Sequence, residues 1–167
     1  MKAEVSGGRL SGTFPLPAST KHRPNPWLVL GAVLSGIAAL LHIAIIFGGG
    51  PWYRFFGAGE AMALAAEAGL AYPAVVTFAI AVVLALWAMV ALSGAGVVRR
   101  WPLLRWGLVA ITAIYLLRGL AIVPLLLLAP GQATPFLVWS SLICLAYGGV
   151  HLVGTRQVWG RLAQANA

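Results

Sequence analysis

The chain has 167 residues, of which 61% are hydrophobic and 8% are charged, and its mean hydropathy is +0.94. These values exclude an ordinary soluble domain, and the length leaves room for one small unit rather than several. The formal net charge of +8 would point to nucleic acid in a soluble protein. Here the basic residues flank long apolar runs, so we expect a membrane protein that binds no nucleic acid.

The first 26 residues are rich in glycine and proline and cannot bury enough surface to order themselves. We therefore predict a flexible cytoplasmic tail over residues 1–26. A secretory signal peptide is the alternative, because basic residues precede an apolar run. That run is longer than the usual stretch of about 7 to 15 residues and lacks a convincing small-x-small cleavage site, which favours a first span that stays attached.

Four apolar stretches follow, at about 27–47, 72–92, 106–129 and 136–153. Crossing the hydrocarbon core takes about 20 helical residues, and each stretch is long enough or nearly so. Without water, the backbone of a span must hydrogen-bond within its own segment, which favours helices. The pattern predicts an all-α integral membrane four-helix bundle over residues 27–155, followed by a cytoplasmic tail over residues 156–167.

Basic residues mark one side of this bundle. They lie before the first span, between the second and third, and after the fourth, and are Lys2, Arg9, Lys21, Arg23, Arg99, Arg100, Arg105, Arg156 and Arg161. The other two connections contain only Arg54. The positive-inside rule therefore predicts that both termini are cytoplasmic.

The connection between the first two spans has two parts. Gly48, Gly49, Gly50 and Pro51 should break the first helix, and the aromatic run that follows, with Trp52 and Tyr53, suits a membrane interface. Residues 58–68 favour a short external helix that lies at the interface. Glu60 and Glu67, seven residues apart, would share one face of that helix.

The string GGGPWYRFFGAGEAMA, residues 48–63, resembles one found in four-span bacterial membrane proteins to which no activity is assigned. The similarity extends into the helices on both sides. The resemblance implies a multi-pass protein of the bacterial inner membrane. It implies no role for any residue.

Arg118 is the only charged residue between Trp106 and Ala129. A cation at bilayer depth costs roughly 2.5 to 3.5 kcal/mol on insertion scales unless a partner meets it, which makes the position a candidate functional site. At 1.5 Å per residue, it lies about 18 Å from the cytoplasmic start of its helix, and His42 lies about 22 Å from the start of its own. We predict one polar cavity open toward the outer leaflet, formed by Arg118, His42, Tyr115, Ser140 and Ser141 and roofed by Trp52, Tyr53 and Glu60.

Structural roles for Arg118 remain open beside this one. The guanidinium could pair with Glu60, Glu67 or backbone carbonyls, or its aliphatic stem could extend outward and place the charge at the headgroups.

Small and polar residues at helical spacing, such as Ser35 in the first span and Cys144 in the fourth, indicate faces that pack in the bundle interior. Pro124 should kink the third span or end its regular part early.

No metal or cofactor is expected. A haem held by two histidines needs both rings at one iron, whereas His42 and His151 differ in predicted depth by more than about 10 Å. His151 is expected near the cytoplasmic face, and neither level offers a third good zinc ligand.

These features favour a membrane component that binds a lipid-like or anionic ligand, or a partner subunit or second copy of itself, around Arg118. One alternative is a small anion transporter or channel with Arg118 as its binding cation. Another is an enzyme acting on a membrane-embedded substrate, with Glu60 or His42 as general acid or base.

Overall fold

The computed structural model describes residues 23–164, and every regular element within them is helical. The elements are α1 (Pro26–Phe55), α2 (Glu60–Glu67), α3 (Ala71–Ala95), α4 (Leu104–Leu120), α5 (Ile122–Leu128), a 3₁₀ turn (Pro130–Gln132) and α6 (Pro135–Gln164). Four stretches are long and apolar enough to cross a membrane: Pro26–Phe55, Ala71–Ala95, Leu104–Leu128 and Pro135–Leu162. The predicted all-α bundle with four such helices is confirmed. The predicted tail before residue 23 lies outside the described residues.

Asn25 fixes the start of α1 and ties it to two other helices. Its side chain caps α1 by accepting a hydrogen bond from the Leu28 N–H at 3.0 Å, and Pro26 occupies the first helical position, where no N–H is needed. The Asn25 backbone N–H donates to the Ala95 carbonyl at 3.0 Å, and its side-chain amide donates to Gln157 at 2.8 Å. The start of α1 is therefore held against the end of α3 and the last part of α6.

A kink divides α1 where the sequence predicts a break. Gly49 has a φ of +62°, a conformation that side-chain-bearing residues rarely adopt, and Pro51 follows without a backbone N–H. The helix resumes in a new direction and continues to Phe55. Tyr53, expected at an interface, is instead buried at 2% exposure, and its hydroxyl accepts a hydrogen bond from Thr77 at 3.2 Å.

The third span is interrupted at Ala121, between α4 and α5. Pro124 accounts for the interruption, because it cannot donate to the Leu120 carbonyl and its ring crowds that oxygen. α6 is longer at its C-terminal end than the sequence predicts. The apolar pattern fades after residue 153, but the helix continues to Gln164 because Val158 and Leu162 still pack into a buried cluster with Leu28.

The helices pack as two antiparallel pairs, α1 with α3 and α4 with α6, joined through α1 and α6. One end of the bundle, called here the terminal end, holds the start of α1, the α3–α4 connection and the end of α6. The other end, called the α2 end, holds α2 and the α5–α6 connection. Separate buried clusters lie at the terminal end, in the middle and at the α2 end.

Two glycines let α4 and α6 approach closely. A methyl group added at Gly119 would lie 2.6 Å from Leu145 Cγ and 2.9 Å from its backbone nitrogen. One added at Gly148 would lie 2.6 Å from Leu116 Cδ2 and 3.1 Å from its backbone nitrogen. Small residues at such crossings are typical of membrane helices, whose association depends on tight packing.

The outward-facing surface is apolar. In each span, at most 28% of the residues in the most apolar 18-residue stretch are buried. Side chains such as Leu40, Phe47 and Leu128 point outward. A continuous apolar surface of this extent would be unstable in water, and it is the surface expected of a protein surrounded by lipid.

Candidate functional site

A cavity of about 460 Å³ lies in the half of the bundle nearer α2. Its volume is within the range of roughly 300 to 1,000 Å³ that is typical of small-molecule sites. Exposed side chains such as Ile80, Ile143 and Trp139 form part of its wall, so it opens on the side of the bundle. The full lining is Ala38, Leu41, His42, Ile45, Phe56, Ile80, Leu84, Ile114, Tyr115, Arg118, Phe136, Trp139, Ser140, Ile143, Cys144 and Tyr147.

Arg118 is the only charged residue in this lining. Its guanidinium donates to Ser141 Oγ at 3.2 Å and to Ser140 Oγ at 3.3 Å, so α4 presents the cation and α6 supplies two neutral acceptors. An arginine carries five N–H donors, and two hydroxyls neither use all of them nor neutralise the charge. Among residues 23–164, no salt bridge involves Arg118.

Both glutamates of the described chain are bound elsewhere. Arg54, at the kinked end of α1, forms a salt bridge with Glu60 at 2.7 Å and a second with Glu67. The hydrogen bonds from Arg54 lower the pKa of both carboxyl groups, which keeps them ionised and paired. Pairing of Arg118 with Glu60 or Glu67, one of the structural roles considered from the sequence, therefore does not occur.

Tyr115 forms the inner wall of the cavity. It lies three residues before Arg118 on α4, and its hydroxyl is hydrogen-bonded to Ser35 Oγ of α1 at 3.0 Å. The ring is 6% exposed and packs edge-on against Trp87 and Tyr147, with centroid distances of 5.1 and 5.5 Å. Because aromatic side chains hold it on both sides, Tyr115 presents a rigid surface to the cavity.

His42 contributes a second polar group. Its Nδ1 donates to the Ala38 carbonyl, one turn earlier on α1, at 2.8 Å. A carbonyl can only accept, so this bond fixes the proton on Nδ1 and leaves Nε2 as the ring nitrogen for other partners. The ring is half-buried in the cavity wall.

The structure brings together five of the eight residues predicted from the sequence. His42, Tyr115, Arg118 and Ser140 line the cavity. Ser141 does not line it but accepts a hydrogen bond from Arg118. The other three do not line it: Trp52 lies on the surface near the kink, Tyr53 is in the core and Glu60 is bound to Arg54.

Aromatic residues take the place of the predicted roof. Phe56 and Phe136 line the cavity at the α2 end, 6.3 Å apart between ring centroids and nearly perpendicular. Cys144 and Tyr147 complete the α6 wall. The sequence carries a signal for this wall, because residues 136, 140, 144 and 147 follow helical spacing and share one face.

His151 packs in the interior of the bundle. It is fully buried near the middle of α6, where its Nδ1 donates to the Tyr147 carbonyl at 2.9 Å and its ring lies 5.4 Å from that of Tyr115. The histidine predicted near the cytoplasmic face is therefore a packed residue of the bundle interior. A methyl group on Gly31 would lie 2.8 Å from the imidazole, so the absence of a side chain there makes room for the ring.

Within the described part of the chain, no three His, Cys, Asp or Glu side chains come together as metal ligands. The polar groups around the cavity are one guanidinium and several hydroxyls, which can donate, and one imidazole, whose free Nε2 accepts. This set suits an anionic or hydrogen-bond-accepting group at the end of an apolar molecule. Comparisons with known proteins find no matching family model, no matching curated protein and no matching solved structure.

Proposed function

We propose that the protein binds an amphipathic membrane molecule in the lateral cavity, with its anionic group on Arg118 and its apolar body along the aromatic wall. The observation that carries this proposal is a guanidinium in an apolar cavity that has two serine partners and, among residues 23–164, no carboxylate partner. Charge-assisted hydrogen bonds to a planar guanidinium are among the stronger ones available to an anion.

The shape of the cavity supports a ligand that enters from the membrane. Its lining is mainly aliphatic and aromatic, and its side opening is bordered by side chains that face lipid. A molecule with acyl chains or a comparable apolar body could move in sideways without crossing water. The proposed class is thus a lipid or lipid-like ligand with an acidic headgroup.

We also propose an orientation of the bundle in the membrane. Six of the eight arginines in residues 23–164 belong to the segments at the terminal end, and the other two are Arg54 and Arg118. By the positive-inside rule the terminal end would face the cytoplasm, and the α2 end and the cavity would face outward. Placement in a bacterial inner membrane rests on the sequence resemblance and belongs to the same proposal.

Replacement of Arg118 tests the proposal. We expect Arg118→Gln to weaken binding of phosphatidylglycerol at this site by about tenfold or more, since a charge-assisted hydrogen bond contributes roughly 1.5 to 3 kcal/mol and 1.4 kcal/mol is tenfold. Arg118→Lys should keep part of the affinity, because it retains charge but not the planar fork. Native mass spectrometry in gentle detergent would measure the bound lipid.

Two controls make this result interpretable. Arg99→Gln removes the same charge from an exposed residue outside the cavity lining and should leave binding at the cavity intact. Phosphatidylcholine with identical acyl chains should bind more weakly to the wild type, because its headgroup has no net charge. Equal lipid retention by Arg118→Gln and wild type, with equal thermal stability, would contradict the proposal.

A further inference from the structure

The cavity around Arg118 contains a second polar element on the opposite helix, the imidazole of His42. α1 and α4 run in the same direction, and the hydrogen bond between Ser35 and Tyr115 joins them at one level. Arg118 lies three residues beyond that level on α4 and His42 lies seven residues beyond it on α1, so their backbones differ in height by about 6 Å. The bond from His42 to the Ala38 carbonyl turns the ring back by one turn, toward the level of Arg118.

His42 can accept a hydrogen bond from a ligand at a ring nitrogen that does not donate. Its Nδ1 carries the proton, because it is bonded to a carbonyl at 2.8 Å, and Nε2 keeps its lone pair. In the described part of the chain, the buried polar atoms that lack a partner are His151 Nε2 and Thr155 Oγ1. His42 Nε2 is not among them, so it is reachable from the cavity that the ring lines.

The hydroxyls of the lining do not duplicate this role. Ser140 Oγ accepts from Arg118 at 3.3 Å and donates to the Leu137 carbonyl at 3.2 Å. The Tyr115 hydroxyl is bonded to Ser35. Tyr147 offers a further hydroxyl, but a hydroxyl can donate as well as accept and so does not select for a donor. The imidazole does, because Nε2 can only accept.

The charge of the cavity decides which kind of donor fits. An anionic lipid headgroup can carry a donor either as an ammonium or as a hydroxyl. An ammonium would add a second cation to a cavity whose lining already contains Arg118 and contains no carboxylate, and like charges repel strongly in apolar surroundings. A hydroxyl donates without adding charge.

We infer that the cavity selects an anionic phospholipid whose headgroup carries a hydroxyl, with the phosphate on Arg118 and the hydroxyl donating to His42 Nε2. The inference rests on the proposed function, which it extends from an acidic headgroup to a hydroxyl-bearing one. In this arrangement Arg118 provides affinity for any anionic headgroup, and His42 provides the preference among them. A site built to accept a hydroxyl disfavours the analogue that lacks one, because its acceptor is then left without a partner.

Two lipids with identical acyl chains and the same charge test this inference. Phosphatidylpropanol differs from phosphatidylglycerol only in lacking the headgroup hydroxyls. In native mass spectrometry of the full chain, the wild type should bind phosphatidylglycerol about two- to tenfold more tightly, the range expected for one neutral hydrogen bond. His42→Leu should bring this ratio close to one. His42→Gln, which retains an acceptor oxygen, should keep part of the preference.

Tyr147→Phe is the matched control. It removes the hydroxyl of the other candidate acceptor and leaves the ring in the cavity wall, so the ratio between the two lipids should stay at the wild-type value. Loss of the ratio in Tyr147→Phe, with retention in His42→Leu, would overturn the assignment to His42.

The remaining outcomes separate this inference from the proposed function. Equal binding of the two lipids by the wild type would overturn the hydroxyl preference without depending on any variant. If Arg118→Gln still weakened both lipids in that case, the proposed function would stand alone. If Arg118→Gln weakened neither lipid, the proposed function would fail, and the inference with it. A preference for phosphatidylglycerol that persisted in folded His42→Leu would also overturn the inference.

Discussion

Gly119→Ala is expected to destabilise the bundle by about 1 to 3 kcal/mol or more, the usual cost of overpacking a close contact. The added methyl group would lie 2.9 Å from the backbone nitrogen of Leu145, and a backbone atom cannot turn aside as a side chain can. α4 and α6 would therefore have to separate. Gly148→Ala, at the reciprocal contact with Leu116, should behave in the same way.

Gly149→Ala is the matched control for this prediction. It lies next to Gly148 on the same helix, and an added methyl group would meet no atom within 4 Å. Since alanine favours a helix over glycine by up to about 1 kcal/mol, this variant should be neutral or slightly stabilising. The free energy of unfolding, measured by titration with SDS in mixed micelles, would show the contrast. Equal effects of Gly148→Ala and Gly149→Ala would refute the close crossing.

Gly31→Ala should have a comparable cost, of about 1 to 3 kcal/mol, through a different neighbour. The new methyl group would lie 2.8 to 3.1 Å from three atoms of the His151 ring. That ring is fully buried and held by its bond to the Tyr147 carbonyl, so it has little room to move. Gly36→Ala, on the same helix with no neighbour within 4 Å, is the control.

A double variant makes this test specific. His151→Ala alone should destabilise the protein by leaving a cavity, whereas the Gly31 methyl group partly fills that space when both changes are present. The combined cost in unfolding free energy should thus be smaller than the sum of the two single costs. Strictly additive costs would show that Gly31 and His151 do not contact each other as described.

Hydropathy was enough to predict the number of spans and their approximate bounds, because each long apolar run must be helical in lipid. It was not enough to predict where helices end. α1 continues past Gly48 because Gly49 can take a positive φ that redirects the chain, and α6 continues past Val153 because Val158 and Leu162 still find apolar partners. Neither effect is visible in a hydropathy average.

Depth along a helix can also be predicted from the sequence, and it places His42, Tyr115, Arg118 and Ser140 at similar levels of the bundle. Which faces meet is a tertiary property. The burial of Tyr53 against Thr77 and the engagement of Glu60 by Arg54 depend on the direction of the chain after the kink. That direction depends on the positive φ of Gly49. Phe56 and Phe136 therefore line the cavity where Trp52, Tyr53 and Glu60 are predicted from the sequence.

The most direct measurement of the proposed function uses Cys144, the single cysteine of the chain, which lines the cavity. Its rate of modification by a membrane-permeable maleimide reports whether the cavity is occupied. Saturating phosphatidylglycerol should slow this reaction several-fold in the wild type, phosphatidylcholine should slow it less, and Arg118→Gln should abolish the difference between the two lipids. An unchanged rate in the wild type, or protection by phosphatidylglycerol that is as strong in Arg118→Gln as in the wild type, would contradict an anionic ligand bound at Arg118.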